Sequence, residues 1–114
     1  MPFKPLCFDT VICFLVLCTV HDLDRSVSEI KRVLKPNGNL IIFEHVLAKD
    51  KIVSKWQNFL NPIWKHVGCG CNLTRDTIKS IDNEGFKTMN LSRYQTSSMG
   101  LPITSQVIEG IATK

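Results

Sequence analysis

Apolar residues form two unbroken runs in the first half of the chain, with a helical pattern between them. The runs Phe8–Leu15 and Leu40–Phe43 do not alternate with polar residues, which predicts strands covered on both faces, as in a parallel sheet between helices. Between them, apolar residues at helical spacing predict a helix over Asp24–Leu34, capped by Asp24 and ended by a turn at Lys35–Asn39. This order predicts one βαβ unit with parallel strands and a right-handed crossover.

The second half begins with a longer amphipathic pattern. Apolar residues from Ile52 to Val67 share one helical face, and Pro62 predicts that this helix is kinked or divided. A further helix is expected to have Thr74 as its N-cap and to end near Gly85.

Two C-terminal segments have the composition of strands. Phe86–Tyr94 alternates in part, Gln106–Ala112 is the last apolar segment, and the connection between them is long enough for an antiparallel pair. The element order is therefore β-α-β-α-α-β-β, an α/β fold. Because two parallel strands cannot close a doubly wound sheet, we expect further strands to precede Phe8.

Composition narrows the class of protein. With 114 residues, 44% hydrophobic and 21% charged, the chain has the size and composition of one folded domain. Its net charge of +4 comes from dispersed lysines, so no nucleic-acid partner is indicated. The number of cysteines is odd, at five, which favours reduced thiols in a cytosol-facing protein. The apolar run Val11–Cys18 is too short to cross a bilayer as a helix.

Several of these motifs resemble a known family. The segments Phe8–Cys13, Val16–Leu17 and Ile30–Leu40 resemble the central block of class I S-adenosylmethionine-dependent methyltransferases with the type 11 domain. The segments Glu44–Val46 and Gly70–Asp76 resemble the methyltransferase-like thiol S-methyltransferases, which methylate small alkyl thiols at the endoplasmic reticulum and lipid droplets.

The resemblance implies a partial Rossmann-like methyltransferase sheet, comprising the fourth to seventh strands of the family and ending in an antiparallel hairpin. Residues 1–114 would form the C-terminal portion of the domain. S-adenosyl-L-methionine is the implied cofactor and a small hydrophobic thiol the implied substrate. The family's glycine-rich turn, acidic strand end and N-terminal membrane anchor find no match, so the isolated chain is expected to be inactive.

The resemblance also implies positions for a functional site. Cys13, Phe14 and Leu17 would line the cofactor pocket, although core packing is an equal alternative for Cys13 and Phe14. His45 follows the second strand, where ligands bind in open α/β sheets, so it is a candidate for orienting or deprotonating a thiol; a packing role is the alternative. An alkyl thiol with a pKa of about 8.5 is partly ionised at neutral pH, so a strong base is not required.

Two further patterns allow alternative interpretations. Cys69 and Cys71 with nearby His66 suggest a metal site, but zinc normally takes four ligands from paired clusters, and none is predicted because a second cluster is missing. The aromatic residues Trp56, Phe59 and Trp64 lie beside lysines, which fits a membrane interface or, more often, core packing. A non-catalytic remnant or a partner-binding half-domain remains the alternative to an enzyme.

Overall fold

A computed structural model describes residues 1–46, 51–67, 70–72, 74–95 and 106–114. The elements are β1 (Phe8–Phe14), α1 (Leu23–Val33), β2 (Leu34–His45), α2 (Lys51–Val67), α3 (Thr77–Asn83), β3 (Thr88–Gln95) and β4 (Gln106–Thr113). The α/β class and the predicted element order are confirmed.

The four strands form one sheet in the order β1-β2-β4-β3. β1 and β2 are parallel, with Ile12 beside Ile41, as the two apolar runs predicted. β4 is antiparallel to both β3 and β2, so the last strand of the chain lies between them. Close strand packing explains Gly110 in β4, because a Cβ atom at this position would overlap the carbonyl oxygen of Asn90 in β3.

Helix α1 begins earlier than the sequence predicted. Asp22, and not Asp24, is its N-cap: Asp22 has an extended backbone, and its carboxylate accepts a hydrogen bond from the backbone N–H of Arg25 at 3.0 Å. Asp24 lies in the first turn, where its charge interacts favourably with the helix dipole. Buried Val27 and Ile30 attach the helix to the core of the sheet, and Val33 is buried as well.

The predicted turn at Lys35–Asn39 does not separate α1 from the next strand. β2 already starts at Leu34, six residues ahead of the predicted Leu40. Phe8 of β1 pairs with Leu34 of β2, and Thr10 pairs with Asn39, so β2 has more residues than β1 between these two pairs. The additional residues form an irregularity within β2. Asn37 adopts a φ of 62° there, a left-handed conformation that asparagine tolerates.

The helices of the second half also differ in detail from the prediction. α2 continues through Pro62 as one helix and is not divided. Asp76 caps α3 by accepting a hydrogen bond from the backbone N–H of Lys79 at 3.2 Å, so Thr74 is not the N-cap. Thr74 instead donates its hydroxyl to the side-chain oxygen of Asn72 at 2.7 Å. α3 ends just before Gly85, as predicted.

The hydrophobic core lies on one face of the sheet. Its centre is formed by Leu17, Leu34, Leu40, Ile42, Ile81 and Ile108, all of which are fully buried. The opposite face is open in the described structure: Ile12 is 68% exposed and Phe14 is 65% exposed. The prediction that both faces of the first strand are covered is therefore wrong for these residues, because α1 packs against one face only. Within the described residues, no helix has the length and hydropathy needed to traverse a bilayer.

Candidate functional site at the carboxyl ends of β1 and β2

A buried carboxylate organises the chain where β1 ends. Glu44, near the end of β2, accepts hydrogen bonds from the backbone N–H groups of Val16 at 2.8 Å, Leu17 at 2.9 Å and Cys18 at 3.4 Å. Burial raises the pKa of Glu44, while these donors oppose the shift by favouring its ionised form. The carboxylate thus fixes the turn that follows β1.

Cys18, His45 and Cys71 come together beside this turn. Cys18 follows β1, His45 ends β2, and Cys71 lies in the segment before α3; all three side chains are buried. One potential metal-binding atom of each lies within 4.8 Å of the others, and Cys71 Sγ is 3.5 Å from His45 Nδ1. We refer to these residues as the thiol–imidazole cluster.

Hydrogen bonding sets the protonation of this cluster. A hydrogen bond between the side chains of Cys18 and Cys71 lowers the pKa of Cys71, against the effect of burial and with a contribution from His45. The same hydrogen bond and burial raise the pKa of Cys18. The interaction therefore favours ionisation of Cys71 over ionisation of Cys18. His45 Nε2 is buried without a hydrogen-bond partner within the described residues.

Two contacts attach the Cys71 segment to the end of β1. The backbone N–H of Asn72 donates to the carbonyl oxygen of Cys18 at 2.8 Å. The Arg75 guanidinium donates to the carbonyl oxygens of Leu17 at 2.9 Å and His21 at 3.3 Å. Because these bonds join segments far apart in sequence, the cluster is held by the fold.

The residues predicted to line a cofactor pocket do not share one surface. Cys13 and Leu17 are buried in the core and line a groove of about 570 Å³ between β1 and α1. Burial, reinforced by the charge of Glu44, raises the pKa of Cys13 to about 11, so this thiol stays protonated at neutral pH. Phe14 lies on the open face of the sheet and stacks on Phe43, with the ring centroids 5.0 Å apart.

The groove has the size and the mixed apolar and polar lining of a small-molecule site. Its volume lies in the range of roughly 300–1,000 Å³ that is typical of small-molecule pockets. Apolar side chains such as Val16 and Leu17 offer contacts for a ring or a methyl group, while His21, Asp22 and Arg25 supply polar groups.

Sequence reasoning missed the residues that meet Cys71. Exposed His66 lies with Nδ1 2.8 Å from the carbonyl oxygen of Pro62 and is not part of the cluster, and Cys69 lies outside the described residues. The partners of Cys71 are Cys18 and His45, which come from the two strand ends. The one signal in the sequence was the Glu44–His45 pair at the end of an apolar run.

Known proteins show similarity in both sequence and structure. Residues 1–42 match the family described as methyltransferase domain. Thiol S-methyltransferase TMT1B of Rattus norvegicus is 39% identical over 101 residues, which cover 88% of this chain and 41% of that protein. Thiol S-methyltransferase TMT1A of Homo sapiens is 39% identical over 88 residues, which cover 76% of this chain and 36% of that protein.

Solved structures share the fold. A SAM-dependent methyltransferase from Methanosarcina mazei has a TM-score of 0.70 at 20% identity, covering 100% of this chain and 62% of that chain. A SAM-dependent methyltransferase from Thermotoga maritima, described as a possible histamine N-methyltransferase, has a TM-score of 0.68 at 20% identity, covering 100% and 59%.

The sheet order, the match over residues 1–42 and the shared fold are those of Rossmann-like, SAM-dependent methyltransferases. Its sequence relatives include thiol S-methyltransferases, at 37–39% identity. The chain spans 41% of the length of the TMT1B relatives.

Proposed function

We propose that this chain forms part of a methyltransferase that transfers a methyl group from S-adenosylmethionine to a small hydrophobic thiol. The observation that carries the proposal is the 39% identity to a thiol S-methyltransferase over 88% of the chain. The position of His45 and the two cysteines supports it, since ligands of open α/β sheets bind beyond the carboxyl ends of the strands.

The chemistry places modest demands on the protein. When bound, S-adenosylmethionine would supply a methyl group already activated on a sulfonium, and an S–C bond to the acceptor would replace the S–C bond to the sulfonium. The chain would therefore need to align the acceptor and exclude water from the reacting atoms. The proton of the acceptor thiol would be released to solvent. Cys13 and Leu17 form one apolar wall of the proposed cofactor site, and Phe14 extends the apolar surface on the other face of β1.

We assign His45 a positioning role. Its Nδ1 faces Cys71 at 3.5 Å and its side chain is only 9% exposed, so we expect it to act through Cys71 and not by direct contact with a bound thiol. The sequence suggested two roles for His45, orienting a thiol or deprotonating it. This arrangement supports orientation.

A chimeric enzyme tests the proposal. Replacing the matched 101 residues of rat thiol S-methyltransferase TMT1B with those of this chain should retain methyl transfer to a small alkyl thiol, measured with labelled S-adenosylmethionine. A chimera that folds and binds the cofactor without methylating thiols would contradict the proposal.

Variants of this chimera test the role of His45. His45→Ala should lower kcat while leaving KM for the cofactor unchanged, and His45→Asn, which can still hydrogen bond to Cys71, should restore part of the rate. His66→Ala, at an exposed histidine away from the cluster, is the matched control. Equal rates for His45→Ala and His66→Ala across pH 6 to 9 would remove His45 from the mechanism.

The open sheet face favours a second candidate function, a half-domain that binds a complementary methyltransferase segment. Ile12 and Phe14 are mostly exposed on this face, as expected of a surface that another layer covers. Calorimetry on the 114-residue chain tests the half-domain, which should give no heat with S-adenosylmethionine. Binding and turnover by the chain alone would exclude the half-domain.

We further propose a cytosol-facing location at the endoplasmic reticulum membrane or the surface of lipid droplets. Support comes from α2, whose apolar residues Trp56 and Phe59 are 54% and 73% exposed and lie beside Lys55. Such a helix suits the interface between lipid head groups and acyl chains.

A further inference from the structure

The thiol–imidazole cluster has the donor set of a metal site. Two cysteine sulfurs and one histidine nitrogen converge from the ends of β1 and β2 and from the segment before α3. His45 and Cys71 are 26 residues apart, so their contact is created by the fold and not by local sequence. Thiolate and imidazole are the ligands that Zn²⁺ prefers in proteins.

The distances suit a tetrahedral ion. With Zn–S of about 2.3 Å and Zn–N of about 2.0–2.1 Å, a sulfur and a nitrogen bound to one zinc lie about 3.6 Å apart, and two sulfurs about 3.8 Å apart. Cys71 Sγ and His45 Nδ1 are 3.5 Å apart, and the three donor atoms lie within 4.8 Å of one another. Small side-chain rotations therefore suffice to place the three donors around one ion.

The surroundings resemble those of a prepared metal site. Glu44 accepts a hydrogen bond from the backbone N–H of Cys18, and the N–H of Asn72 donates to the Cys18 carbonyl oxygen, which together fix the position of this residue. The ring of Trp64 packs against Cys18 and Cys71 and covers them with apolar surface. Such burial strengthens the attraction between two thiolates and a divalent cation.

We propose that Cys18, His45 and Cys71 bind one Zn²⁺ ion, with the remaining coordination position open to a ligand from outside the cluster. Three protein ligands and one open position are typical of reactive zinc sites, whereas structural sites are closed by four. The site replaces the sequence-based expectation of no metal, which considered only Cys69 and His66 as partners of Cys71. It does not depend on the proposed methyl transfer.

Cobalt substitution tests the site on the whole 114-residue chain. Co²⁺ added under reducing, oxygen-free conditions should bind with one equivalent and give thiolate-to-cobalt charge-transfer absorption with the intense visible bands of a four-coordinate ion. Cys18→Ser and Cys71→Ser should lose these bands. Cys7→Ser, at an exposed cysteine outside the cluster, should keep them. Absence of thiolate absorption in the unaltered chain, or its persistence in Cys71→Ser, would overturn the proposal.

Alkylation of the unaltered chain provides a test that does not require the variants to fold. Zn²⁺ should slow the labelling of Cys18 and Cys71 by N-ethylmaleimide about tenfold or more, since metal-bound thiolates are shielded from the reagent, and should leave Cys7 unaffected. Peptide mass spectrometry measures each rate. Equal rates with and without Zn²⁺, or equal protection of Cys7, would show that the cluster holds no specific zinc.

Discussion

Among individual residues, Glu44 links the two parallel strands at their carboxyl ends. Its carboxylate satisfies the backbone N–H groups of Val16, Leu17 and Cys18, in a region where water has little access. A buried donor left without an acceptor costs about 1–3 kcal/mol. Glu44 therefore acts on the cluster indirectly, by fixing the backbone that carries Cys18.

Substitution of Glu44 should measure this effect. Glu44→Gln replaces one carboxylate oxygen by an amide nitrogen, which cannot accept a hydrogen bond, so we expect the free energy of unfolding to fall by about 1–3 kcal/mol in urea denaturation. Glu109→Gln is the control, because Glu109 is exposed and its amide oxygen can still accept the bond from Tyr94. Equal stabilities of the two variants would contradict the role assigned to Glu44.

The chain also contains thiols of very different reactivity. Burial raises the pKa of Cys13 to about 11, whereas Cys7 is exposed. At pH 8, about one in a thousand Cys13 side chains is then ionised, and only the thiolate reacts. We expect iodoacetamide to label Cys7 at least about tenfold faster than Cys13 in the native chain, with Cys13 labelling rising towards pH 11. Peptide mass spectrometry would reveal equal native rates, which would contradict this assignment.

Among the elements, α2 shows what an amphipathic pattern can and cannot predict. The apolar spacing of Ile52, Trp56, Phe59 and Ile63 predicted the helix, and these residues do share a face. All four are more than half exposed, however. Among the α2 side chains whose burial is described, the fully buried one is Gln57, which donates to the carbonyl oxygen of Val46 at 3.2 Å. The pattern indicates an apolar face but not whether protein or lipid covers it.

We expect this face to bind lipid. The chain should float with vesicles that contain anionic phospholipid, and Trp56→Ser with Phe59→Ser should reduce the bound fraction about tenfold or more, since burying each aromatic side chain contributes about 1.5–3 kcal/mol. Asn58→Ala, on the other side of the helix, should bind as the unaltered chain does. Flotation that is insensitive to the aromatic substitutions would exclude α2 as the lipid-binding surface.

On the scale of the whole molecule, the sequence predicted what depends on local pattern. Unbroken apolar runs located β1 and β2 and implied their parallel pairing, which the Ile12↔Ile41 register confirms. The N-cap of α1 was predicted at the wrong residue because Asp22 and Asp24 are both suitable. Only the backbone conformation selects between them. The thiol–imidazole cluster could not be predicted, because its members meet only once the strands are paired and the Cys71 segment is docked.

The open face of the sheet gives the last prediction. Ile12 and Ile41 lie side by side on this face and point away from the core, so they contribute little to the stability of the described fold. An exposed apolar patch with an unpaired neighbouring edge, as at β1, favours association. We therefore expect the isolated chain to self-associate with rising concentration in sedimentation velocity.

Replacing both residues by threonine separates association from folding. Threonine keeps the β-branched shape that suits a strand and adds a hydroxyl that water can reach, so Ile12→Thr with Ile41→Thr should raise the monomer fraction while the unfolding midpoint changes little. Ile42→Thr, at a fully buried position next to Ile41 in β2, should instead lower the unfolding midpoint sharply. If the unaltered chain is monomeric at every concentration, the apolar face does not drive association, and the half-domain function loses its main support.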